Sequence, residues 1–197
     1  MTNIVQELEK KGLIHPPSWL SCNTMYLTIM GSHAYGINEE GSDFDIYGFS
    51  IPPKNQVFPY SDKIYGFESV SVFEQFQKHH IIHERKEYDL SIFSIVKYFK
   101  LCMDSNPNMI DSLFVPHNCV IHSTSISELV RNSRRIFLCK EIWAKFKGYA
   151  FSTLTKMANK NHEKVKPVID FESNHGIDRR TTFEDLENEM KKRNIIP

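Results

Sequence analysis

Two aspartates separated by one residue, Asp43 and Asp45, are the residues of this chain best suited to metal chemistry. They begin the segment DFDIYGFSI, residues 43–51, whose alternation predicts a β-strand. Residues i and i+2 of a strand point to the same face, so we expect the two carboxylates to project together. Such a pair can bridge two Mg²⁺ ions, which lie ~3.5–4 Å apart in two-metal sites. Without a cation or a proton between them, the two carboxylates would repel each other.

Gly31 and Ser32 lie upstream, where an apolar segment ends and a brief helix is predicted to begin. The preceding residues, 24–30, are apolar and β-rich and predict a buried strand. Backbone N–H groups at the start of a helix bind anions, and glycine lets a phosphate approach the backbone. The Ser32 hydroxyl adds another donor. One end of this region therefore favours phosphate and the other favours metal, a combination that describes nucleotidyl transfer.

The order of these residues resembles that of a known superfamily. Gly-Ser-x-x-x-Gly at residues 31–36, followed by Ser-Asp-x-Asp at residues 42–45, is similar to the polymerase-β-like nucleotidyltransferases. The form GSxAYG…SDFDIYGF resembles most closely a bacterial and phage branch, the RNA-ligase-associated nucleotidyltransferases. That branch also carries NPN-x-x-(E/D)-x-LFVP, which residues 106–116 fit, and residues 146–157 resemble its following helix. The resemblance covers roughly residues 25 to 158.

The resemblance implies both a fold and an activity. The fold is α/β (α+β in detail): a small mixed, twisted β-sheet flanked by helices, as in the polymerase-β palm, with a helical C-terminal part. The activity is transfer of a nucleoside monophosphate from an NTP such as ATP to an acceptor hydroxyl, with release of pyrophosphate. Two Mg²⁺ ions are expected, and Mn²⁺ could replace them. An RNA end is the acceptor suggested by the branch's association with RNA repair, and a protein hydroxyl or a small molecule remains open.

The site residues implied by the resemblance are metal ligands and nucleotide contacts. Asp43 and Asp45 are expected to hold both metals, and a third carboxylate is required from a later strand. Asp89 in the segment KEYDLSIF is our choice as third ligand and catalytic residue, because it lies directly before a long predicted helix. Glu87 is the second choice, and a helix-capping role is the alternative for Asp89. The nucleotide is expected to contact the residues of the two motifs, Gly31, Ser32, His33 and Ser42.

Two departures from the branch's pattern bear on activity. The branch commonly has arginine after Gly-Ser, where this chain has His33, so less positive charge is expected near the triphosphate. Its later D-x-K-x-x-x-H signature is not found, so we expect either a fragment or a replaced C-terminal part. The alternative function is therefore a catalytically inactive nucleotide- or nucleic-acid-binding module of the same fold.

The elements that must position these residues are predicted from periodicity. The segment SIFSIVKYFKLCM, residues 91–103, has apolar residues at helical spacing, which predicts a helix. Its expected packed stripe is Ile92, Ile95, Val96, Phe99 and Met103. Residues 63–73 are predicted to hold one or two strands, and residues 74–86 to form a hairpin turn or a helix. Further helices are predicted over 3–11, 125–135, 140–159 and, from a capping signal, 181–193.

Charge and composition exclude some function classes. The 24 basic and 24 acidic residues of this 197-residue chain cancel, so global charge does not indicate nucleic-acid binding. A basic run, Arg131 to Lys147, is typical of a solvated helix face, with a phosphate or nucleic-acid surface as its alternative. Three nearby histidines have no cysteine beside them, which indicates a solvated polar segment rather than a zinc site. They are His79, His80 and His83.

Location and domain organisation are predicted from the same composition. We expect neither a signal peptide nor a membrane span, and the four scattered cysteines favour a reducing, cytoplasmic setting. The composition becomes more polar after Asn159. We therefore divide the chain into a nucleotidyltransferase core, 1–120, a helical part, 121–160, and a polar extension, 161–197, that is incomplete or flexible.

Overall fold

The computed structural model describes residues 3–57, 72–160, 166, 170, 173–177 and 181–192, and the chain divides into two units, 1–138 and 139–197. In the described part of the first unit a five-stranded sheet has the order β3-β4-β2-β1-β5. Its strands are β1 (Thr24–Ile29), β2 (Phe44–Ser50), β3 (Gln75–His83), β4 (Lys86–Ser94) and β5 (Val120–Ser123). The helices of this unit are α1 (Ile4–Lys10), α2 (Gly31–Tyr35), α3 (Lys54–Val57), α4 (Ile95–Met103), α5 (Pro107–Phe114) and α6 (Ser125–Asn132).

The sheet is mixed, because β2 and β4 pair in parallel while the other described pairs are antiparallel. One face packs on α1, whose Val5 and Leu8 join a buried cluster with Leu27 and Leu90. The other face meets α4 and α5, since the ring of Phe49 lies 5.0 Å from that of Tyr98 on α4. This arrangement confirms the predicted α/β class, with helices on both sides of the sheet.

Capping residues at both ends of α1 explain where this helix begins and ends. The side chain of Asn3 accepts a hydrogen bond from the Gln6 N–H at 2.9 Å, and the Gln6 side chain reaches back to the Asn3 N–H. This reciprocal pairing is a capping box, which satisfies donors that a helix start leaves free. Gly12 follows the helix with φ +69°, a conformation that glycine adopts without strain. The predicted helix over residues 3–11 is confirmed.

The boundary between β4 and α4 differs from the prediction. The strand runs through Ser94, and the helix begins only at Ile95, with the Ser94 hydroxyl accepting the Lys97 N–H at 3.1 Å as its cap. The predicted packed stripe is wrong at Val96 and Met103, which are 58% and 64% exposed. A buried strand reads as a continuous apolar run, and such a run also satisfies helical spacing.

Residues 74–86 form a hairpin rather than a helix. Strands β3 and β4 pair antiparallel and are joined at Glu84 and Arg85, whose φ values of 50° and 63° suit a tight two-residue turn. The hairpin-turn prediction is therefore correct for Glu84 and Arg85, whereas most of the other residues belong to β3. The helix alternative is wrong. The strands predicted over 63–73 fall mainly on residues 58–71, outside the described residues.

The described residues of the second unit include the helices α7 (Glu141–Lys160) and α8 (Phe183–Lys192). Thr182 and Asp185 cap the start of α8 reciprocally, as the capping signal predicted. Neither these helices nor those described in the first unit combine the length and apolar character needed to cross a bilayer. The three-part division of the chain stays a prediction. Strand β5, which begins at Val120, where the predicted core ends, pairs with β1 in the sheet.

Candidate active site

Parallel pairing of β2 with β4 places Asp45 directly opposite Asp89. Residues opposite each other in neighbouring strands point to the same face of the sheet, so both carboxylates project together. Asp43 lies just before β2 and joins them, and the three residues offer oxygens that all lie within 4.8 Å of one another. Asp43 is exposed, while Asp45 and Asp89 are half-buried. The structure therefore brings together the three carboxylates that the sequence singled out.

Gly31 lies directly against this cluster. Its φ is +62°, and a Cβ atom at this position would lie 2.1 Å from Oδ2 of Asp45. The preceding N–H, that of Met30, donates to the backbone oxygen of Asp45 at 2.7 Å. The end of β1 and the start of α2 are thus fixed against the first residues of β2, and only glycine fits the contact.

The other motif residues lie around the turn between α2 and β2. The ring of His33 stacks on Phe44 with centroids 4.1 Å apart, and its Nε2 lies 3.3 Å from the Ser42 backbone oxygen. The Ser42 hydroxyl accepts the Glu39 N–H at 2.9 Å, which closes the turn. Ser32 is half-buried in the first turn of α2, and its backbone oxygen accepts the Ile37 N–H at 3.0 Å. A role for these residues toward a nucleotide stays a prediction.

Asp89 is held by a bulge in the neighbouring strand β3. Lys78 pairs with Leu90 and Ile81 with Tyr88, so His79 and His80 together oppose the single residue Asp89. The His80 N–H donates to Oδ1 of Asp89 at 2.8 Å, and Nδ1 of His79 lies 2.9 Å from Oδ2. The sequence analysis missed both contacts, because a two-against-one register leaves no mark in residue types.

Glu87, the second choice for the third carboxylate, is engaged elsewhere in this hairpin. Its Oε1 lies 2.5 Å from Nδ1 of His80, and hydrogen bonding to this carboxylate raises the pKa of His80. Asp89 is the member of the pair that lies with Asp43 and Asp45. The helix-capping alternative for Asp89 is wrong, because Asp89 lies inside β4 and Ser94 caps α4.

The three carboxylates differ in how readily they carry charge. Burial raises the pKa of Asp45, and the charges of Asp43 and Asp89 raise it further. Burial also acts to raise the pKa of Asp89, but hydrogen bonds from the His80 N–H and the His79 ring outweigh it and leave that pKa lowered. The site thus holds one carboxylate that resists ionisation beside another that is kept ionised.

This donor set fits a hard divalent cation. Carboxylate oxygens are the ligands that Mg²⁺ and Mn²⁺ prefer, whereas zinc sites use nitrogen and sulfur more often. A cation between the three groups would offset the repulsion that raises the pKa of Asp45. The chemistry of the described residues is therefore consistent with the metal-binding role predicted for Asp43, Asp45 and Asp89.

Two of the sequence motifs that carry the resemblance, at residues 31–36 and 106–116, meet at a hydrogen bond. The hydroxyl of Tyr35, from GSxAYG, donates to Oδ2 of Asp111, from the NPN segment, at 2.7 Å. Helix α5 is in turn fixed to the sheet, because the Tyr26 hydroxyl donates to the Ser112 backbone oxygen at 2.7 Å. The NPN segment therefore supports α2, the helix that carries Gly31 and Ser32.

Part of the predicted basic face is buried instead. Arg131 is 8% exposed, donates to the Val115 backbone oxygen at 2.9 Å and lies over the Tyr26 ring. Arg134 lies over the Phe114 ring, with 5.0 Å between the guanidinium carbon and the centroid. The interpretation as a solvated face is wrong for these two arginines, because their guanidinium groups pack against α5 and the sheet.

His83 also departs from the predicted solvated segment. It is 6% exposed, and its Nε2 lies 3.0 Å from Oε1 of Glu7 on α1. Hydrogen bonding to His83 is the main cause that lowers the pKa of Glu7. This pair links α1 to the end of β3, whereas His79 and His80 remain exposed as expected.

Comparison with known proteins gives one family. The comparison with curated proteins returned no match. A family model described as "RlaP: RNA repair pathway DNA polymerase beta family" matches residues 4–170, which is most of the chain and includes every site residue named above. The mixed sheet, the glycine contact and the three gathered aspartates accompany that match. The chain belongs to the RNA repair pathway DNA polymerase beta family.

Proposed function

We propose that this chain transfers a nucleoside monophosphate from an NTP to an acceptor hydroxyl, with pyrophosphate as the leaving group. The observation that carries the proposal is the meeting of Asp43, Asp45 and Asp89 beside Gly31, in a chain of the polymerase β type. In the reaction, the acceptor oxygen forms a bond to the α-phosphorus. The bond from that phosphorus to the bridging oxygen of pyrophosphate breaks, and pyrophosphate keeps the electron pair.

Each carboxylate has a distinct role in this proposal. Asp43 and Asp45 would hold two divalent cations, Mg²⁺ with Mn²⁺ as a substitute, and Asp89 would hold the acceptor-side cation with them. Bound cations of this kind neutralise the triphosphate and make an attacking hydroxyl more acidic. The hydrogen bonds of the bulge lower the pKa of Asp89, which favours the ionised form that binds a cation. Help in removing the acceptor proton is a further part of the role proposed for Asp89.

The residues of the first motif are proposed to contact the triphosphate. Gly31 lies against Asp45, so a phosphate bound to the backbone N–H groups of Gly31 and Ser32 would lie beside the carboxylates. His33 and Ser42 are proposed to shape this contact rather than supply charge, since His33 stacks on Phe44 and the Ser42 hydroxyl closes a turn. The NTP would therefore be recognised mainly by backbone donors and cations.

An RNA end is the proposed acceptor. The support is the description of the family as one of an RNA repair pathway. A hydroxyl of RNA has the chemistry that the reaction requires, and so do a protein hydroxyl and a small-molecule hydroxyl. The carboxylate cluster does not distinguish these acceptors, so an assay with each class of hydroxyl is needed to identify the acceptor.

A non-catalytic nucleotide-binding module is the second candidate. The observation that favours it is the engagement of His33, whose ring lies on Phe44 and beside the Ser42 oxygen. An arginine at this position would offer a positive charge to the triphosphate. The His33 ring instead contacts residues of the turn before β2. Such a module would bind Mg-NTP without turnover.

The two candidates separate in a paired experiment. Calorimetric titration with Mg-NTP measures binding, and pyrophosphate release measures turnover in the presence of RNA ends, proteins or small hydroxyl compounds with labelled NTPs. We expect binding, pyrophosphate release and label on RNA, and the loss of all cation-dependent turnover in Asp45→Asn. Binding without pyrophosphate release across all acceptors would establish the non-catalytic module instead.

A further inference from the structure

The roles proposed for Asp43, Asp45 and Asp89 do not by themselves require the bulge formed by His79 and His80. It directs two donors at one carboxylate, so that each oxygen of Asp89 receives one hydrogen bond. A carboxylate only accepts hydrogen bonds, so Nδ1 of His79 must carry the proton in this contact. The two contacts together fix the rotation of the Asp89 carboxylate, which a single contact would leave free.

The geometry of the bulge is maintained at a local cost. His80 has a φ of +55°, a left-handed conformation that residues other than glycine seldom adopt. Bulges are frequent beside active sites, where they change the direction of a side chain or backbone group. Without the extra residue, a regular antiparallel register would place one residue opposite Asp89 and could not present both donors to it.

Stability alone does not account for His79. The side chain of His79 is 53% exposed, and that of its partner Asp89 is 20% exposed. A hydrogen bond whose donor side chain is mostly exposed contributes little to the free energy of folding. The contact instead acts on the orientation of a group that lies within reach of Asp43 and Asp45.

We propose that His79 is a positioning residue, which turns the Asp89 carboxylate toward Asp43 and Asp45 and thereby strengthens binding of the acceptor-side divalent cation. This inference rests on the proposed function of the carboxylate cluster. His79 does not touch the cation in this account, and it acts through its Nδ1–H donor. The neighbouring His80 contributes its backbone N–H, which no side-chain substitution other than proline removes.

The test compares cation affinity in matched variants. Mn²⁺ alone is titrated calorimetrically into the full chain without nucleotide, for the unaltered protein and for His79→Ala, His79→Asn and His15→Ala. Asparagine offers an N–H donor close to the Nδ1 position, so it replaces the proposed contact. His15 is exposed and lies outside the site, so His15→Ala controls for the loss of a histidine.

The expected result is a loss confined to one variant. His79→Ala should weaken Mn²⁺ binding by about tenfold or more, the usual scale for losing a group that orients a metal ligand. His79→Asn should restore most of that affinity, and His15→Ala should match the unaltered protein. Turnover in His79→Ala should fall through kcat, with KM for the NTP nearly unchanged, because the nucleotide is held by other residues.

Three kinds of result would overturn the inference. A lower melting temperature in His79→Ala with unchanged Mn²⁺ affinity would make the contact purely structural, and the proposed function would stand. Absence of Mn²⁺ binding in the unaltered chain, or equal binding in Asp45→Asn, would instead contradict the proposed function, and the inference would fall with it. His79→Asn could also bind Mn²⁺ as weakly as His79→Ala does. That result would reject the role of the Nδ1–H donor.

Discussion

Asp45 is the carboxylate of the described site whose ionised form is disfavoured by its surroundings. It is half-buried, it lies opposite Asp89, and its Oδ2 is pressed against Gly31. Burial raises its pKa, and the charges of Asp43 and Asp89 raise it further, so its ionised form opposes folding while no cation is present. A residue kept in such a place is better explained by a ligand than by packing.

The first prediction follows from the sign of this pKa shift. Because the pKa in the folded chain lies above the ordinary 3.8, the destabilisation is present at neutral pH and disappears as the pH falls through the folded value. Asp45→Asn should therefore melt higher than the unaltered, cation-free chain at pH 7, by ~2–4 °C for each kcal/mol of repulsion relieved. The difference should shrink toward acidic pH.

Thermal melts with and without Mg²⁺ at several pH values check this prediction. Mg²⁺ should raise the melting temperature of the unaltered chain, because a ligand of the folded state stabilises it, and should leave Asp45→Asn unchanged. An Asp45→Asn protein that melts lower than the unaltered chain at pH 7 would show that the carboxylate is structural.

The second prediction concerns the glycine beside Asp45. Gly31 and Gly36 share a left-handed conformation, with φ of +62° and +69°, but a Cβ meets the Asp45 carboxylate at Gly31 and open space at Gly36. Alanine at either position should cost about 1–2 kcal/mol of backbone strain. Gly31→Ala should in addition displace the carboxylate and reduce turnover by ~10²-fold, the scale of a misplacement by about 1 Å.

Gly36→Ala is thus a matched control for Gly31→Ala. Melting temperature reports the shared strain, and Mn²⁺ affinity with pyrophosphate release reports the displaced carboxylate. Equal turnover in the two variants would show that the contact between Gly31 and Asp45 does not affect the reaction.

At the scale of elements, the junction of β4 and α4 separates Asp89, a residue proposed for the reaction, from the residue that caps the helix. Asp89 lies within the strand, whereas Ser94 ends the strand and caps the helix. The two residues therefore lie in different elements, whereas the sequence analysis considered the helix cap as the alternative role of Asp89 itself. Their variants make the distinction measurable.

The third prediction compares Asp89→Ala with Ser94→Ala. Ser94→Ala should lower stability by ~1 kcal/mol through the lost cap and leave turnover intact. Asp89→Ala should reduce turnover by roughly 10²-fold or more, the usual scale for losing general-base assistance. Mg-NTP affinity should stay within about tenfold, since two carboxylates still hold the nucleotide's cation.

Melting temperature, Mg-NTP calorimetry and pyrophosphate release on both variants provide the measurement. Turnover preserved in Asp89→Ala would remove the residue from the mechanism. Glu87 would then have to be tested in its place.

Local patterns predicted the elements that carry Gly31 and Asp45, because strand, turn and strand follow one another within a short segment. The boundary at Ser94 could not be predicted, because the buried end of β4 and the start of α4 form one apolar run. The bulge at His79 and His80 could not be predicted, because residues 77–80 are polar on both faces of β3 and such a strand specifies its register only weakly. The burial of Arg131 depends on which helix lies nearby.

At the scale of the whole molecule, the hydrophobic core and the candidate site belong to the same unit. Among the described residues, every hydrophobic side chain that is fully buried lies between Val5 and Cys119, inside the unit that spans 1–138. The residues proposed for the reaction lie in the same range. That unit therefore contains the elements needed to fold around the carboxylates.

The fourth prediction is that a chain ending at Leu138 folds and binds Mn²⁺. Its affinity should match that of the full chain, because all three carboxylates and the bulge belong to the unit that spans 1–138. Circular dichroism melts and Mn²⁺ calorimetry on both chains check this. A shortened chain that unfolds cooperatively but fails to bind Mn²⁺ would show that the second unit contributes to the site.

The parallel pairing of β2 and β4 also has a consequence for how the molecule assembles. Parallel neighbours cannot be joined by a tight turn, so this pairing needs a long crossover and is slow to form compared with the β3–β4 hairpin. The three carboxylates come together only when that step is complete. A cation in the medium would then bind finished molecules and not partly paired ones, and by mass action it would draw the refolding population toward the finished sheet.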